Sequence, residues 1–234
     1  MEPEKLIIQV NDQESVSALL YPAAKAKRAR VTIVLGHGAG GNQLSGFMRL
    51  FGDGLASRGL DTMTFNFVYS EKGRGAPDPK SKLEACYLAA IEAALSHQKL
   101  KKNRLVIGGK SMGGRIASQV AANEAIADSS ISHSLSGLVF LGYPLHPPGK
   151  PEQLRDQHLK DIHAPMLVIQ GTRDPFGTSD ELRAVIKRLR LAATLQPIEE
   201  GDHSFKVPKR VGTQDEVYGK ILDRIAMWAN ELSG

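Results

Sequence analysis

Short apolar runs alternate with helix-patterned stretches along the chain, and this alternation constrains the fold more than any other feature. Val31-Thr32-Ile33-Val34-Leu35, Arg104-Leu105-Val106-Ile107, Leu138-Val139-Phe140-Leu141 and Met166-Leu167-Val168-Ile169 are brief and nearly free of charge. They lack the in-out alternation of a half-solvated strand, so they read as strands buried on both faces, the pattern of a parallel sheet. Between them, Phe47 to Ser57 and Lys82 to Leu95 read as helices, the latter with Leu83, Tyr87, Ile91 and Leu95 on one face. Ile116, Ala117, Val120 and Ala121 keep helical spacing just beyond the second run. Strands and helices in this order predict a mostly parallel central sheet with helices on both faces and function gathered at the carboxyl ends of the strands.

The flanking elements fit the same plan. Leu6 to Val10 and Val16 to Tyr21 suggest an opening hairpin, Asp61 to Phe67 alternates like a strand, and Ala193 to Pro197 forms the last strand. Thr178 with Glu181, and Thr213 with Glu216, have the spacing of capping boxes that open two late helices. In the second, about Gln214 to Leu232, the stripe Val217, Ile221, Ile225 and Trp228 assigns Trp228 to the core. A chain of 234 residues is expected to form one domain, spanning 1–234, with enough interior to need no disulfide or metal.

Bulk chemistry excludes several classes of function. Hydrophobic residues at 41% and charged residues at 24% match an ordinary soluble protein, and no apolar run nears the roughly 18 residues that span a bilayer, so no membrane partner is expected. Met1-Glu2-Pro3-Glu4-Lys5 is charged and unlike a secretory leader, and Cys86 is the single cysteine, placed on the inner face of a helix as a small buried hydrophobe. A cytoplasmic location follows as the expectation. The formal charge is +5, but the basic groups Lys25 to Arg30, Lys99 to Arg104 and Arg183 to Arg190 are scattered, and aromatics, at 6%, do not interleave with them. Nucleic acid is therefore not an expected partner. The sequence holds no Cys/His/carboxylate cluster, and a lone glycine spacing is weak evidence for a nucleotide, so neither cofactor nor metal is expected.

Four strand ends carry chemistry. Gly109-Lys110-Ser111-Met112-Gly113 lies between a strand and a helix, where a sharp turn holds its central serine in a positive-φ conformation and lifts the hydroxyl clear of the backbone. Strand and helix approach so closely there that side chains two positions either side would collide, which glycines avoid. Gly36-His37-Gly38-Ala39-Gly40-Gly41-Asn42 is poor in side chains, so its N–H groups can approach a ligand; the N–H groups of Ala39 and Met112 are the candidate oxyanion donors. Phosphate cradling is the alternative use of such a loop; Gly36, Gly38 and Gly41 do fall at G-x-G-x-x-G spacing, a weak signal on its own, but no G-K-S/T ending closes the loop. Asp174, in Gly171-Thr172-Arg173-Asp174, can orient a histidine, and His203, in Gly201-Asp202-His203-Ser204-Phe205, can accept the Ser111 proton. Six of the seven histidines, His37, His97, His133, His146, His158 and His163, precede Asp174, so only His203 completes the order serine, acid, histidine.

With these residues the chain resembles an α/β-hydrolase, and within that superfamily the small, lidless branch of dienelactone-hydrolase-like proteins. That branch includes the hydrolase-like domain of a chromatin-complex scaffold subunit and its testis-expressed relatives. The similar segments are Gly36 to Asn42, Phe65-Asn66-Phe67-Val68-Tyr69, Gly108 to Arg115, Gly142 to Lys150, Gly171 to Asp174 and Gly201 to Phe205, of which Gly142 to Lys150 is the most specific. Dienelactone hydrolases proper carry cysteine where this chain has Ser111, so their substrate is not carried over, and Val68 stands where that branch has proline. The resemblance implies an α/β-hydrolase fold with little or no lid.

The function expected is that of a serine hydrolase acting on a small-molecule acyl substrate, an ester, thioester or lactone, through Ser111, His203 and Asp174. His37, Tyr69, His146 and Lys150 come from neighbouring strand ends, where they either touch substrate or serve as loop structure stiffened by Pro144, Pro147 and Pro148. The short connection from His146 to Pro165 leaves no room for a large lid and suggests an open site. A non-catalytic interaction module is the rival, because the branch includes scaffold-like members; an intact triad speaks against it.

Overall fold

The computed structural model describes residues 2–24, 28–123, 131 and 134–232; His133 and residues 25–27 of the first basic run lie outside them. Strands β1 (Glu4–Asn11), β2 (Glu14–Tyr21), β3 (Val31–Gly36), β4 (Asp61–Phe65), β5 (Arg104–Lys110), β6 (Leu135–Leu141), β7 (Met166–Gly171) and β8 (Ala193–Ile198) form one sheet in the order β1-β2-β4-β3-β5-β6-β7-β8. The opening hairpin is antiparallel and β2 meets β4 antiparallel, whereas β4, β3, β5, β6, β7 and β8 run parallel. β3, β5, β6 and β7 are almost wholly buried, while the edge strand β8 is half-buried and accommodates Pro197.

Helices α1 (Gly46–Ser57), α2 (Val68–Glu71), α3 (Lys80–Ser96), α4 (Met112–Ala121), α5 (Ser179–Leu189) and α6 (Gln214–Glu231) follow in chain order. Val31, Ile33 and Leu35 point from β3 into a core shared with Met48, Phe51 and Leu55 of α1 and with Val217, Ile221, Ile225 and Trp228 of α6. Val34 points the other way, into a core filled by α3, α4 and α5 through residues such as Tyr87, Ile91, Ile116 and Leu182. The period of two along each strand thus feeds both layers. Both capping boxes form, Thr178 with Glu181 and Thr213 with Glu216.

Several expectations shift at their edges. The strand predicted to reach Phe67 stops at Phe65 and is buried throughout instead of alternating, because it lies between β2 and β3 under both helical layers. The helix predicted from Lys82 begins at Lys80, directly after Pro79. Between β6 and β7 the chain carries only a 3₁₀ turn, Gln157–Asp161, so no lid domain covers the strand ends. None of the helices among the described residues is long and apolar enough to cross a membrane.

The order β4-β3-β5 places the switch point of the sheet between β3 and β5, where chain connections leave in opposite directions and open a crevice at the carboxyl ends. Gly36 closes β3 and pairs with Gly109 of β5. A Cβ on Gly109 would fall 2.2 Å from the Gly36 carbonyl oxygen, and one on Gly113 would fall 2.1 Å from the same atom. These are backbone contacts with no flexible atom to yield. Gly113→Ala is accordingly expected to destabilise the protein by about 3 kcal/mol in urea unfolding, or to prevent soluble folding. A loss below about 0.5 kcal/mol, the scale of an ordinary surface substitution, would contradict the close approach of α4 to β3.

Candidate active site

Ser111 sits at the N-terminus of α4 with φ 51° and ψ −114°, the strained conformation predicted for a serine at a strand-to-helix turn. Its N–H donates to the Leu141 carbonyl at 3.1 Å, which ties the turn to β6, and the Arg115 N–H donates back to the Ser111 carbonyl at 3.1 Å. The hydroxyl is left to face the crevice. Below it, Tyr87 is fully buried; its hydroxyl accepts from the Gly108 N–H at 2.8 Å and approaches the Val34 carbonyl at 2.8 Å, joining β3 to β5.

His203 Nε2 lies 2.8 Å from Ser111 Oγ, and His203 Nδ1 lies 2.7 Å from Asp174 Oδ2. The three groups come from positions 111, 174 and 203 and meet because two loops pack backbone to backbone. A Cβ on Gly171 would fall 2.2 Å from the Gly201 carbonyl oxygen, and the Arg173 N–H donates to that carbonyl at 2.9 Å. The Asp174 side chain is fully buried and wholly occupied: Oδ2 accepts from Gln170 Nε2 at 2.9 Å as well as facing His203, and Oδ1 accepts from the Phe176 N–H at 2.8 Å. Phe176 covers the imidazole with ring centroids 4.4 Å apart.

Two further residues brace this chain, and neither was singled out from the sequence. Gln170, at the end of β7, accepts from the Tyr143 N–H at 2.8 Å while its amide donates to Asp174 and to the Gly177 carbonyl at 2.6 Å. A polar residue closing an otherwise apolar strand was the available signal. Lys110 donates from Nζ to the His203 carbonyl at 2.6 Å and lies 5.5 Å from the Phe205 ring centroid. Burial pulls the Lys110 ammonium down to about 8, against the opposing pull of Asp174 and Asp202.

The glycine-rich loop after β3 lines the same cleft as Ser111, and Ala39 and Met112 both belong to that lining. Met112 is the first residue of α4, so its N–H has no partner within the helix. The Gly38 carbonyl accepts from the Gly41 N–H at 3.0 Å and from His37 Nδ1 at 2.8 Å. That carbonyl and the Ala39 N–H belong to one trans peptide and point in opposite directions, so anchoring the first fixes the second.

His37, Tyr69, His146 and Lys150, each read as touching substrate or serving as loop structure, lie outside the lining of the cleft. His37 is fully buried, and its Nε2 accepts from the Phe67 N–H at 3.1 Å, which assigns the proton to Nδ1. Burial holds its pKa below the ordinary value, against the opposing pull of the hydrogen bond to the Gly38 carbonyl. Tyr69, also buried, donates to the Ala39 carbonyl at 2.7 Å, and its phenol is pushed up to about 12, chiefly by burial. His146 is buried between the Pro147 carbonyl at 2.9 Å and Glu181 at 3.2 Å, while Lys150 is exposed. None of the four lines the cleft; three of them hold loops, because a buried imidazole or phenol needs polar partners and finds them in backbone. Cys86 is buried as expected, with its thiol pushed up to about 12 by burial. Among the described residues, no group of three or more His, Cys, Asp or Glu side chains is placed to hold a metal ion.

The cleft above Ser111 has a volume of about 650 Å³ and is open to solvent on one side, with Phe47, Met48, Leu83 and Phe176 as its apolar wall. Its dimensions suit a small ligand.

The sequence profile of a family described as an alpha/beta hydrolase domain matches residues 29–230. A quorum-quenching protein, AidA of Acinetobacter baumannii, is 35% identical over 120 residues, a stretch covering 49% of this chain and 38% of that protein. A lidless α/β serine hydrolase from Xanthomonas campestris superposes with a TM-score of 0.72 at 18% identity, covering 100% of this chain and 97% of the other. Dienelactone hydrolase from Anabaena variabilis gives a TM-score of 0.69 at 18% identity, covering 99% and 97%. At that identity the two structures speak for the fold.

The lysine beside the histidine makes a pH prediction. An ammonium whose folded pKa is depressed from 10.5 to about 8 costs stability while it stays charged in the fold. The unfolded chain binds more protons between those values, so stability rises with pH across that window. Lys110→Met is therefore expected to gain stability relative to wild type at pH 7, and the gap should narrow as pH climbs through 8 toward 10.5, read as urea midpoints. A gap constant with pH would contradict burial of the charge.

Proposed function

The chain belongs to the α/β-hydrolase domain family, and from that premise we propose that it is a serine hydrolase cleaving a small carboxylic ester, thioester or lactone through an acyl-enzyme. The observation that carries the proposal is the unbroken path from Ser111 Oγ to His203 Nε2 at 2.8 Å and from His203 Nδ1 to Asp174 at 2.7 Å. These are hydrogen-bond distances for proton transfer without rearrangement.

In the first half-reaction, His203 Nε2 takes the hydroxyl proton as Ser111 Oγ bonds to the acyl carbon. The carbonyl π electrons move onto oxygen, and that oxyanion is held by the N–H groups of Ala39 and Met112. The buried Asp174 carboxylate stabilises the imidazolium and fixes the tautomer that leaves Nε2 free. When the tetrahedral adduct collapses, the departing alkoxide or thiolate receives the proton from His203. Water then attacks the acyl-enzyme by the same route, His203 again serving as base, and the carboxylic acid leaves with Ser111 restored. His37 and Tyr69 act here as positioning residues for the oxyanion loop.

A module that only binds partners has no use for a fully hydrogen-bonded acid behind a histidine and a strained serine, so catalysis is the better supported reading. On p-nitrophenyl acetate, Ser111→Ala is expected to lower kcat/KM by about 10⁴-fold or more, and Asp174→Asn by about 10⁴-fold, because an amide at that position selects the wrong imidazole tautomer. Stopped-time spectrophotometry of the released nitrophenolate checks both. Wild-type rates in Ser111→Ala would remove the serine from its role.

A further inference from the structure

We propose that the cleft binds a free carboxylate of the substrate between the guanidinium groups of Arg115 and Arg155, so that the preferred ester carries a negative charge away from the bond that is cut. This deepens the serine-hydrolase reading and rests on it. Arg115 lies four residues beyond Ser111 on α4, hence on the same helix face one turn further along. Arg155 comes from the β6–β7 connection, its backbone braced by its own N–H on the Leu145 carbonyl at 2.8 Å and by the Tyr143 hydroxyl on its carbonyl at 2.7 Å. Both arginines line the cleft that contains Ser111.

The other charges around them have ion-pair or hydrogen-bond partners of their own. Lys80 faces Glu84 at 3.5 Å, and Asp78, the one carboxylate on the cleft wall among the described residues, is met at Oδ1 by Arg74 at 2.6 Å, its Oδ2 being buried without a hydrogen-bond partner. Lys110 is engaged with the His203 carbonyl. Arg115 and Arg155 have no carboxylate within ion-pair distance among the described residues, and the Arg155 guanidinium makes only a long contact, 3.5 Å, to the Pro144 carbonyl. Arg115 Nε is buried without a hydrogen-bond partner. The Arg115 pKa is lowered first by burial and then by the positive charge of Arg155, while Tyr143 and Glu84 offset part of this. Two like charges, partly out of water and short of acceptors, are unfavourable until an anion joins them. A guanidinium stays charged at any working pH and matches a carboxylate with two parallel N–H donors, which makes a planar carboxylate the fitting occupant.

The test compares two esters of equal acyl length, the mono-p-nitrophenyl ester of glutaric acid and p-nitrophenyl pentanoate. Wild type should favour the carboxylate-bearing ester by at least tenfold in kcat/KM, and added salt should shrink that preference. Arg115→Gln and Arg155→Gln should each cut the ratio of the two rates at least tenfold, whereas Arg183→Gln, which removes an exposed charge of α5, should leave the ratio as it is. Thermal melting of each variant reports that it is folded. Glutarate binding to Ser111→Ala, measured by calorimetry, reads the anion site without any turnover and should vanish on addition of either arginine substitution. Hydrolysis of both esters at equal rates, or a preference that survives both arginine substitutions, overturns the carboxylate site and leaves the hydrolase reading standing. Arginine-dependent glutarate binding in a protein that hydrolyses neither ester overturns the hydrolase reading and supports the site. No binding and no preference overturn it.

Discussion

The contact on which the rest of the molecule depends is backbone against backbone: the Gly36 carbonyl oxygen lying where any side chain at position 109 or 113 would have to be. Because β5 and α4 both close on that one atom, the turn between them is forced tight, and Ser111 at its apex takes a φ of 51° that most residues avoid. The same closure puts the end of β3, and therefore the glycine-rich loop, beside the serine. Ser111 and the N–H groups of Ala39 and Met112 are thus set on one cleft by main-chain packing, before any side chain in the cleft is chosen.

Hydrogen bonds then stiffen what the packing has assembled. His37 and Tyr69 are spent on the carbonyls of Gly38 and Ala39, Gln170 on Asp174 and the Tyr143 turn, and Lys110 on the carbonyl of His203 itself. Each partner is a backbone group or a buried carboxylate, and each bond removes freedom from the segment that carries it. Placing supports one layer behind Ser111, His203 and Asp174 preserves their orientation in a cleft that solvent can enter.

The sheet and the three strand-end positions were legible because they rest on local pattern. Apolar runs such as Met166 to Ile169 have no other comfortable environment than a doubly covered sheet, and chain order alone singles out His203 among seven histidines. Tyr69 and His146 were harder to read, since a polar side chain at a strand end looks the same in sequence whether it faces the ligand or its own loop, and burial decides between them. Phe67 was read as strand because its apolar character continues that of Phe65, while the end of pairing depends on neighbours in β3 that no local pattern contains. Arg115 is the opposite case. Its spacing from Ser111 was visible, but its importance emerges only when Arg155, 40 positions away, is seen on the same cleft without a counter-ion among the described residues.

The central claim is that the Ser111 oxygen, made nucleophilic by His203, is the atom that attacks. Incubating the protein with a fluorophosphonate and measuring intact mass, followed by peptide mapping, examines that atom directly. The account predicts a single covalent adduct at Ser111, formed in wild type and absent from Ser111→Ala. An adduct located on another residue, or one that persists undiminished in Ser111→Ala, would contradict it.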